Sequence, residues 1–268
     1  MKSTKLAVLI WLLVGIALLV VSAPQRVLAD QVAHETALPE SALPADIVAA
    51  VNSPDRPAAD KERDATRRPA QVIAFFGIKP GMKVADLWAA GGYTTELLAR
   101  IVGPTGKVYS QNMEFPAKFK SAEETWHKRT SEPGLSNVVE VQKPFDAPDV
   151  LPAPPGTLDA VLINLNYHDL VGRNFDRANL NAAVFKALKP GGIYGTVDNS
   201  AQPGSGARDA NTLHRIDEQY EIAEISKAGF RLVADADFLR NPHDDRTQPF
   251  WKIGHHQDCF ILKFVKPE

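Results

Sequence analysis

The sequence predicts an α/β fold: a Rossmann-like three-layer sandwich on a mostly parallel seven-stranded sheet, with an antiparallel last strand and an N-terminal helical extension. Three observations predict it. From Lys79 onward, short apolar runs alternate with longer helix-forming stretches, the rhythm of a parallel sheet crossed by helices. The first such run ends in Ala89-Ala90-Gly91-Gly92, a small-residue turn opening directly into a helix. The last two runs are joined by residues 240–257, rich in Pro, His and Asp and without helical period. Such a link suits an antiparallel hairpin at the sheet edge, which needs no crossover helix.

Ahead of the sheet, residues 1–29 read as a signal peptide. Lys2 and Lys5 give a positive start, residues 6–21 are uninterruptedly apolar, and Val27-Leu28-Ala29 fits a cleavage site. The apolar run is short for a membrane span of about 20 residues, which favours cleavage over anchoring. The mature chain is expected to begin at Asp30, to be periplasmic or secreted, and to have no stable membrane insertion. No cysteine lies in this leader, which excludes a lipid anchor on a cleaved cysteine. Cys259, the one cysteine, sits in an apolar strand-like run and reads as a buried inert thiol. The fold is therefore held by its apolar core, not by an internal disulfide.

Residues 30–78 form the extension. Residues 30–56 read as an Ala/Pro-rich arm with a helical patch at 46–51. Residues 60–76 read as one amphipathic helix docking by Val72, Ile73, Phe75 and Phe76, stopped by Gly77. The Rossmann domain is 79–268. Strand 83–88 is entered through Pro80-Gly81 and leads to helix 93–101. Strand Lys107–Asn112 follows a Gly-Pro-Thr-Gly turn and precedes a charged helix, 117–130. Strands Val138–Gln142 and 159–165 come next, then helix 175–188, stopped by Pro190-Gly191-Gly192. Strand 193–198, helix 212–228 closed by Gly229, and strands 231–238 and 258–265 complete the order.

At 268 residues, 44% hydrophobic and 23% charged, the composition is globular. A net charge of −2 offers no field for nucleic acid, so a small-molecule substrate is the expected partner and the oligomeric state stays open.

Ligands in such sheets bind at the carboxyl ends of the strands, and three polar constellations fall there. The first is Asp86-Leu87-Trp88-Ala89-Ala90-Gly91-Gly92, where small residues let backbone approach a ligand at a helix N-terminus. Its alternative is a plain tight turn. The second is Asn164-Leu165-Asn166-Tyr167-His168-Asp169, in which His168 and Asp169 could serve as a base and its neighbour. Its alternative is a capping Asp169 beside a surface His168. The third is Asp198-Asn199-Ser200, followed by a Gly/Ser-rich loop and then His214 and Asp217. Those two residues would share one face of a helix, with His214 oriented by a carboxylate such as Asp198. The histidines and carboxylates would also suit a metal, although no Cys/His spacing of the zinc-finger type is present. The cluster His243, Asp244, Asp245, Arg246, Trp251, His255 and His256 reads first as solvated hairpin loop.

The first constellation resembles the opening motif of the class I S-adenosylmethionine (SAM) dependent methyltransferases, acidic-apolar-Gly-x-Gly-x-Gly. Asp86 matches the acidic position, Trp88 and Ala90 stand at the first two glycines, and Gly92 is the third. The resemblance implies SAM as cofactor, held by Asp86, Trp88, Ala90, Gly91, Gly92 and Asn164. The ribose position falls on Asn112, with Glu114 able to substitute, and the adenine position on Asp146. Ser53-Pro54-Asp55-Arg56-Pro57, Phe75-Phe76-Gly77-Ile78-Lys79-Pro80-Gly81 and Asn166-Tyr167-His168-Asp169 are similar to a group of predicted exported bacterial methyltransferases. Methyl transfer to a small molecule is the implied activity, with His168, Asp169, His214 and Asp198 as candidate catalytic residues. Two other readings stand beside it: a non-catalytic binder in the same cleft, and a metal-dependent hydrolase or lyase.

Overall fold

The computed structural model describes residues 32–254 and 256–268. The expected leader, the start at Asp30 and His255 lie outside the described residues. The chain runs β1 (Ala33–Glu35), α1 (Ala45–Val51), α2 (Ala58–Arg67), α3 (Pro69–Phe76), β2 (Lys83–Leu87), α4 (Tyr93–Val102), β3 (Lys107–Asn112), α5 (Lys120–Thr130) and β4 (Val138–Gln142). It continues β5 (Leu158–Asn164), α6 (Tyr167–Gly172), α7 (Arg177–Ala187), β6 (Leu188–Asn199), α8 (Glu218–Lys227), β7 (Arg231–Ala236) and β8 (Cys259–Val265). Among the described residues no helix is long and apolar enough to cross a membrane.

One sheet has the order β1-β7-β8-β6-β5-β2-β3-β4. Strands β6 to β4 are parallel, and β8 runs antiparallel between β6 and β7. The expected sandwich is present, with two corrections. The sheet has eight strands, because the arm supplies β1, which pairs parallel with β7. The last hairpin is consequently not an edge: β8 is covered by β6 and β7, and β7 by β1. The Ala-His-Glu of β1 has no apolar alternation to announce it, and His34 Nδ1 bonds Asp235 Oδ1 at 2.5 Å beside it.

Period-two alternation sends successive side chains of β2 to opposite faces. Ala85 and Leu87 join a core with Leu180 and Val184 of α7 and Ile225 of α8. Val84 joins the other core, with Leu97 and Leu98 of α4 and Ile73 and Phe76 of α3. Phe76 enters because β6 carries Gly195 opposite it. A Cβ there would lie 2.6 Å from the Phe76 ring.

The single helix expected over 60–76 is two. Arg68 has φ +45° and Pro69 opens α3. Proline disfavours a helical residue before it and brings no N–H, so the chain turns there and restarts. The turn lets α2 lie over α4 and α5. Arg129 of α5 donates to Asp60 of α2 at 2.5 Å and to Glu96 of α4 at 2.6 Å, all three buried. Arg56 pairs with Asp64, which also accepts from the Tyr93 hydroxyl at 2.6 Å.

The helix expected over 212–228 begins only at Glu218, with Asp217 as N-cap accepting from the Gln219 N–H at 3.0 Å. His214 precedes it in turn structure, at φ +51°. His214 and Asp217 therefore do not share a helix face.

Candidate active site

The turn after β2 has the backbone of a glycine loop without its glycines. Trp88 has φ +52°, Ala90 +49° and Gly92 +81°. For a residue with a Cβ, this region costs about 1–2 kcal/mol. Side chains from β3 hold the loop there. Gln111 Oε1 accepts from the Trp88 N–H at 3.2 Å. Asn112 accepts from the Ala90 N–H at 2.8 Å and donates to the Ala90 carbonyl at 3.2 Å. The amide at the expected ribose position is thus spent on the loop itself.

Trp88 does not stand free over the cleft. Its indole lies 4.6 Å from the Phe145 ring and 6.2 Å from Phe175, centroid to centroid, with the Arg173 guanidinium 5.0 Å from its face. Asp86 is buried beneath the loop and accepts from the Thr95 hydroxyl at 2.6 Å. Burial pushes its carboxyl up to about 7, against the Thr95 hydrogen bonds, which lower it. Gly92 is needed for space as well as for φ, since a Cβ would meet the Arg129 side chain at 3.0 Å. Gly91 has room, its added Cβ meeting only Thr125 at 3.6 Å. Glu114 and Asp146 are exposed on the loops after β3 and β4.

Asn164 closes β5. Its Nδ2 donates to the Thr94 hydroxyl at 3.3 Å, while its buried Oδ1 finds no hydrogen-bond partner among the described residues. Asn166 ties this loop to the first, donating to the Trp88 carbonyl at 3.0 Å.

Beside it the structure assembles His168, Asp169, Asp198 and His214, but pairs them differently from the sequence expectation. Asp198, fully buried at the end of β6, holds His168 and not His214. It accepts from the His168 N–H at 2.7 Å, and its Oδ1 lies 2.5 Å from His168 Nδ1. Burial alone would lower the His168 pKa. The charge and hydrogen bond of Asp198 outweigh it and raise the imidazole above its ordinary value. His214 Nδ1 lies 3.1 Å from Asp169 Oδ1. Burial would raise the Asp169 carboxyl, but the His214 hydrogen bond and the charge of His168 hold it below the usual range. The two rings stand edge to face, 5.3 Å apart. Asp169 lies inside α6, whose N-cap is Asn166. Asp217 is not in the cluster: its carboxylate caps α8 and accepts from the Gly206 N–H at 3.2 Å.

The loop before β8 is not simply solvated. Arg215, which sequence reasoning passed over, is completely buried and pairs with Asp244 at 2.8 Å while donating to the Ser200 and Gln248 carbonyls. This anchors the loop over the site and brings Trp251 to 5.1 Å from His214. Only the run of acids beside Arg246 could have hinted at a partner for Arg215. Cys259 is buried, as expected, and burial pushes its thiol pKa up.

No family model matches the chain. It is 27% identical over 192 residues to the ubiquinone/menaquinone biosynthesis C-methyltransferase UbiE of Erwinia tasmaniensis, covering 70% of this chain and 72% of that protein. It is 27% identical over 179 residues to UbiE of Cronobacter sakazakii, covering 66% of each. The match to UbiE of Escherichia coli O1:K1 spans 62% of that protein, less than two thirds of its length. A SAM dependent methyltransferase from Aquifex aeolicus superposes with TM-score 0.55 at 18% identity, covering 79% of this chain and 98% of that one. Geranyl diphosphate C-methyltransferase from Streptomyces coelicolor A3(2) gives 0.55 at 13% identity, covering 81% and 84%. The [4+2]-cyclase SpnF gives 0.57 at 16% identity, covering 76% and 82%. Likeness at these identities shows the fold. With the sequence relatives it supports a class I SAM-dependent methyltransferase family, and the Rossmann-like fold of this chain is the fold of that family.

Proposed function

We propose that the chain is a methyltransferase that binds SAM at the carboxyl ends of β2, β3 and β5 and methylates a small molecule. The observation that carries this reading is the loop 88–92. Two residues with side chains are held in a glycine-type conformation by Gln111 and Asn112. Backbone strain of this kind is kept where the surrounding structure fixes it, characteristically at ligand sites.

The residues present fit the cofactor. The partnerless Asn164 Oδ1 supplies a buried acceptor for an ammonium group. Glu114 takes the ribose hydroxyls, since Asn112 is engaged with Ala90. Trp88, backed by the fully buried Phe145, supplies an apolar wall, with Asp146 following Phe145 in the chain. Bound there, SAM supplies an electrophilic methyl group. The chain's own work is to hold the acceptor in line and manage its proton. His214, steadied by Asp169 and partly open to solvent, faces that task better than His168, which is sealed against Asp198.

Calorimetric titration with S-adenosylhomocysteine tests the reading. Binding in the micromolar range is expected, weakened about tenfold or more by Asn164→Leu. No heat at millimolar ligand overturns it.

We also propose that the chain is exported and matures at Asp30. The charge, apolar run and small residues of the leader support this.

A further inference from the structure

The cluster beside the cofactor cleft contains more than acid-base chemistry requires. His168, Asp169 and His214 each present one ligand atom, and all these atoms lie within 4.8 Å of one another. They come from two segments remote in sequence, the first turns of α6 and the loop before α8. We propose that these three side chains bind a divalent first-row transition metal, with zinc as the expected ion.

The donor set selects the ion class. Two imidazoles and one carboxylate suit zinc and its neighbours, whereas calcium and magnesium take oxygen ligands. Three protein ligands leave a coordination position for water or substrate, as in catalytic zinc sites.

The surroundings supply an independent argument. A metal-bound histidine commonly gives its second ring N–H to a carboxylate, which fixes tautomer and ring orientation. Asp198 does this for His168. Its Oδ1 takes Nδ1 at 2.5 Å, and its two oxygens are themselves fixed by the N–H groups of His168 and Asn199 at 2.7 Å each. That leaves Nε2 as the His168 nitrogen available to an ion. His168 is buried, while the side chains of Asp169 and His214 are 16% and 29% exposed, so an ion can enter and a ligand can reach it. Outside the ligand set, Arg173 is the neighbouring cation at Asp169 among the described residues, and its Nε stays 3.8 Å away while its guanidinium rests on Trp88. Resting on the methyl-transfer reading, an ion here would take over from His214 the handling of the acceptor's proton, polarising an acceptor oxygen and favouring its deprotonation.

The test uses the full mature chain without an affinity tag, stripped by chelator and titrated with zinc against a chromophoric chelator. One ion per chain with submicromolar affinity is expected. Cobalt(II) should give the visible bands of a four- or five-coordinate site. His214→Ala and Asp169→Asn, both at partly exposed positions, should each weaken zinc binding at least a hundredfold. Asp198→Asn should weaken it about 10–100-fold, the range for a supporting carboxylate. S-adenosylhomocysteine titration of His214→Ala separates the two readings, because His214 packs on His168 and Trp251 and not on the residues assigned to the cofactor. Substoichiometric zinc in the wild type, or affinity unchanged by His214→Ala, overturns the metal site whatever the cofactor result.

Discussion

Asp86 carries a consequence for stability that its place in the motif conceals. Its carboxyl is buried and accepts from Thr95, and burial pushes it up to about 7 from an ordinary 3.8. A carboxyl with a raised folded-state pKa binds more protons in the folded protein than in the unfolded one between those two values. Stability therefore falls as pH rises from about 4 to 7 and is flat above. The difference corresponds to at most about 4 kcal/mol, at 1.36 kcal/mol per unit. Asp86→Asn keeps the acceptor for Thr95 and removes the ionisation. We expect it to raise the melting temperature at pH 8 and to leave it nearly unchanged at pH 4, read by calorimetry across that range. Equal shifts at both pH values would show that burial is not the cause. At this scale the sequence placed His168, Asp169, Asp198 and His214 at one edge, because strand ends are legible from apolar runs. It did not give their pairing. Which carboxylate meets which imidazole depends on the backbone of residues 201–217, and a left-handed His214 has no signature in a one-letter pattern.

The elements most altered from expectation are those of the extension. The break at Arg68 was legible in Pro69, but the late apolar residues read as one continuous face. What the break achieves is the clamp of Arg129 on Asp60 and Glu96. The same side chain stands behind Gly92, its Cδ 3.0 Å from where a Cβ would be. The extension is thus coupled to the site through a buried ion network. Removing one partner of a buried pair costs about 3–5 kcal/mol. Asp60 keeps Arg63 and Glu96 keeps Arg100, so the lower end applies. Arg129→Met should lower stability by about 3 kcal/mol, seen as a reduced urea midpoint at unchanged slope. It should also weaken S-adenosylhomocysteine binding, because the loop loses its backing. A variant with wild-type midpoint would place the coupling elsewhere.

Across the molecule, the parallel strands were readable because local sequence decides them: each is an apolar run followed by a helix. The insertion of β8 between β6 and β7 and the addition of β1 were not, since strand neighbours are set by contacts far apart in the chain. The pairing of Ala33 with Ala234 spans nearly the whole domain. That pairing bears on the proposed export. Cleavage after Ala29 leaves β1 whole, three residues beyond the new N-terminus at Asp30, and so leaves the edge of β7 covered. Cleavage a few residues later would strip β1 and expose the hydrogen-bonding edge of β7, the kind of edge that invites aggregation. The proposed cleavage after Ala29 is therefore compatible with a covered sheet edge. The chain recovered from outside the cytoplasm should have a mass that begins at Asp30. Ala29→Arg should block processing and leave the full-length species. A full-length chain confined to the cytosol in the wild type would overturn export, and a mature chain beginning beyond Glu35 would show that β1 is dispensable.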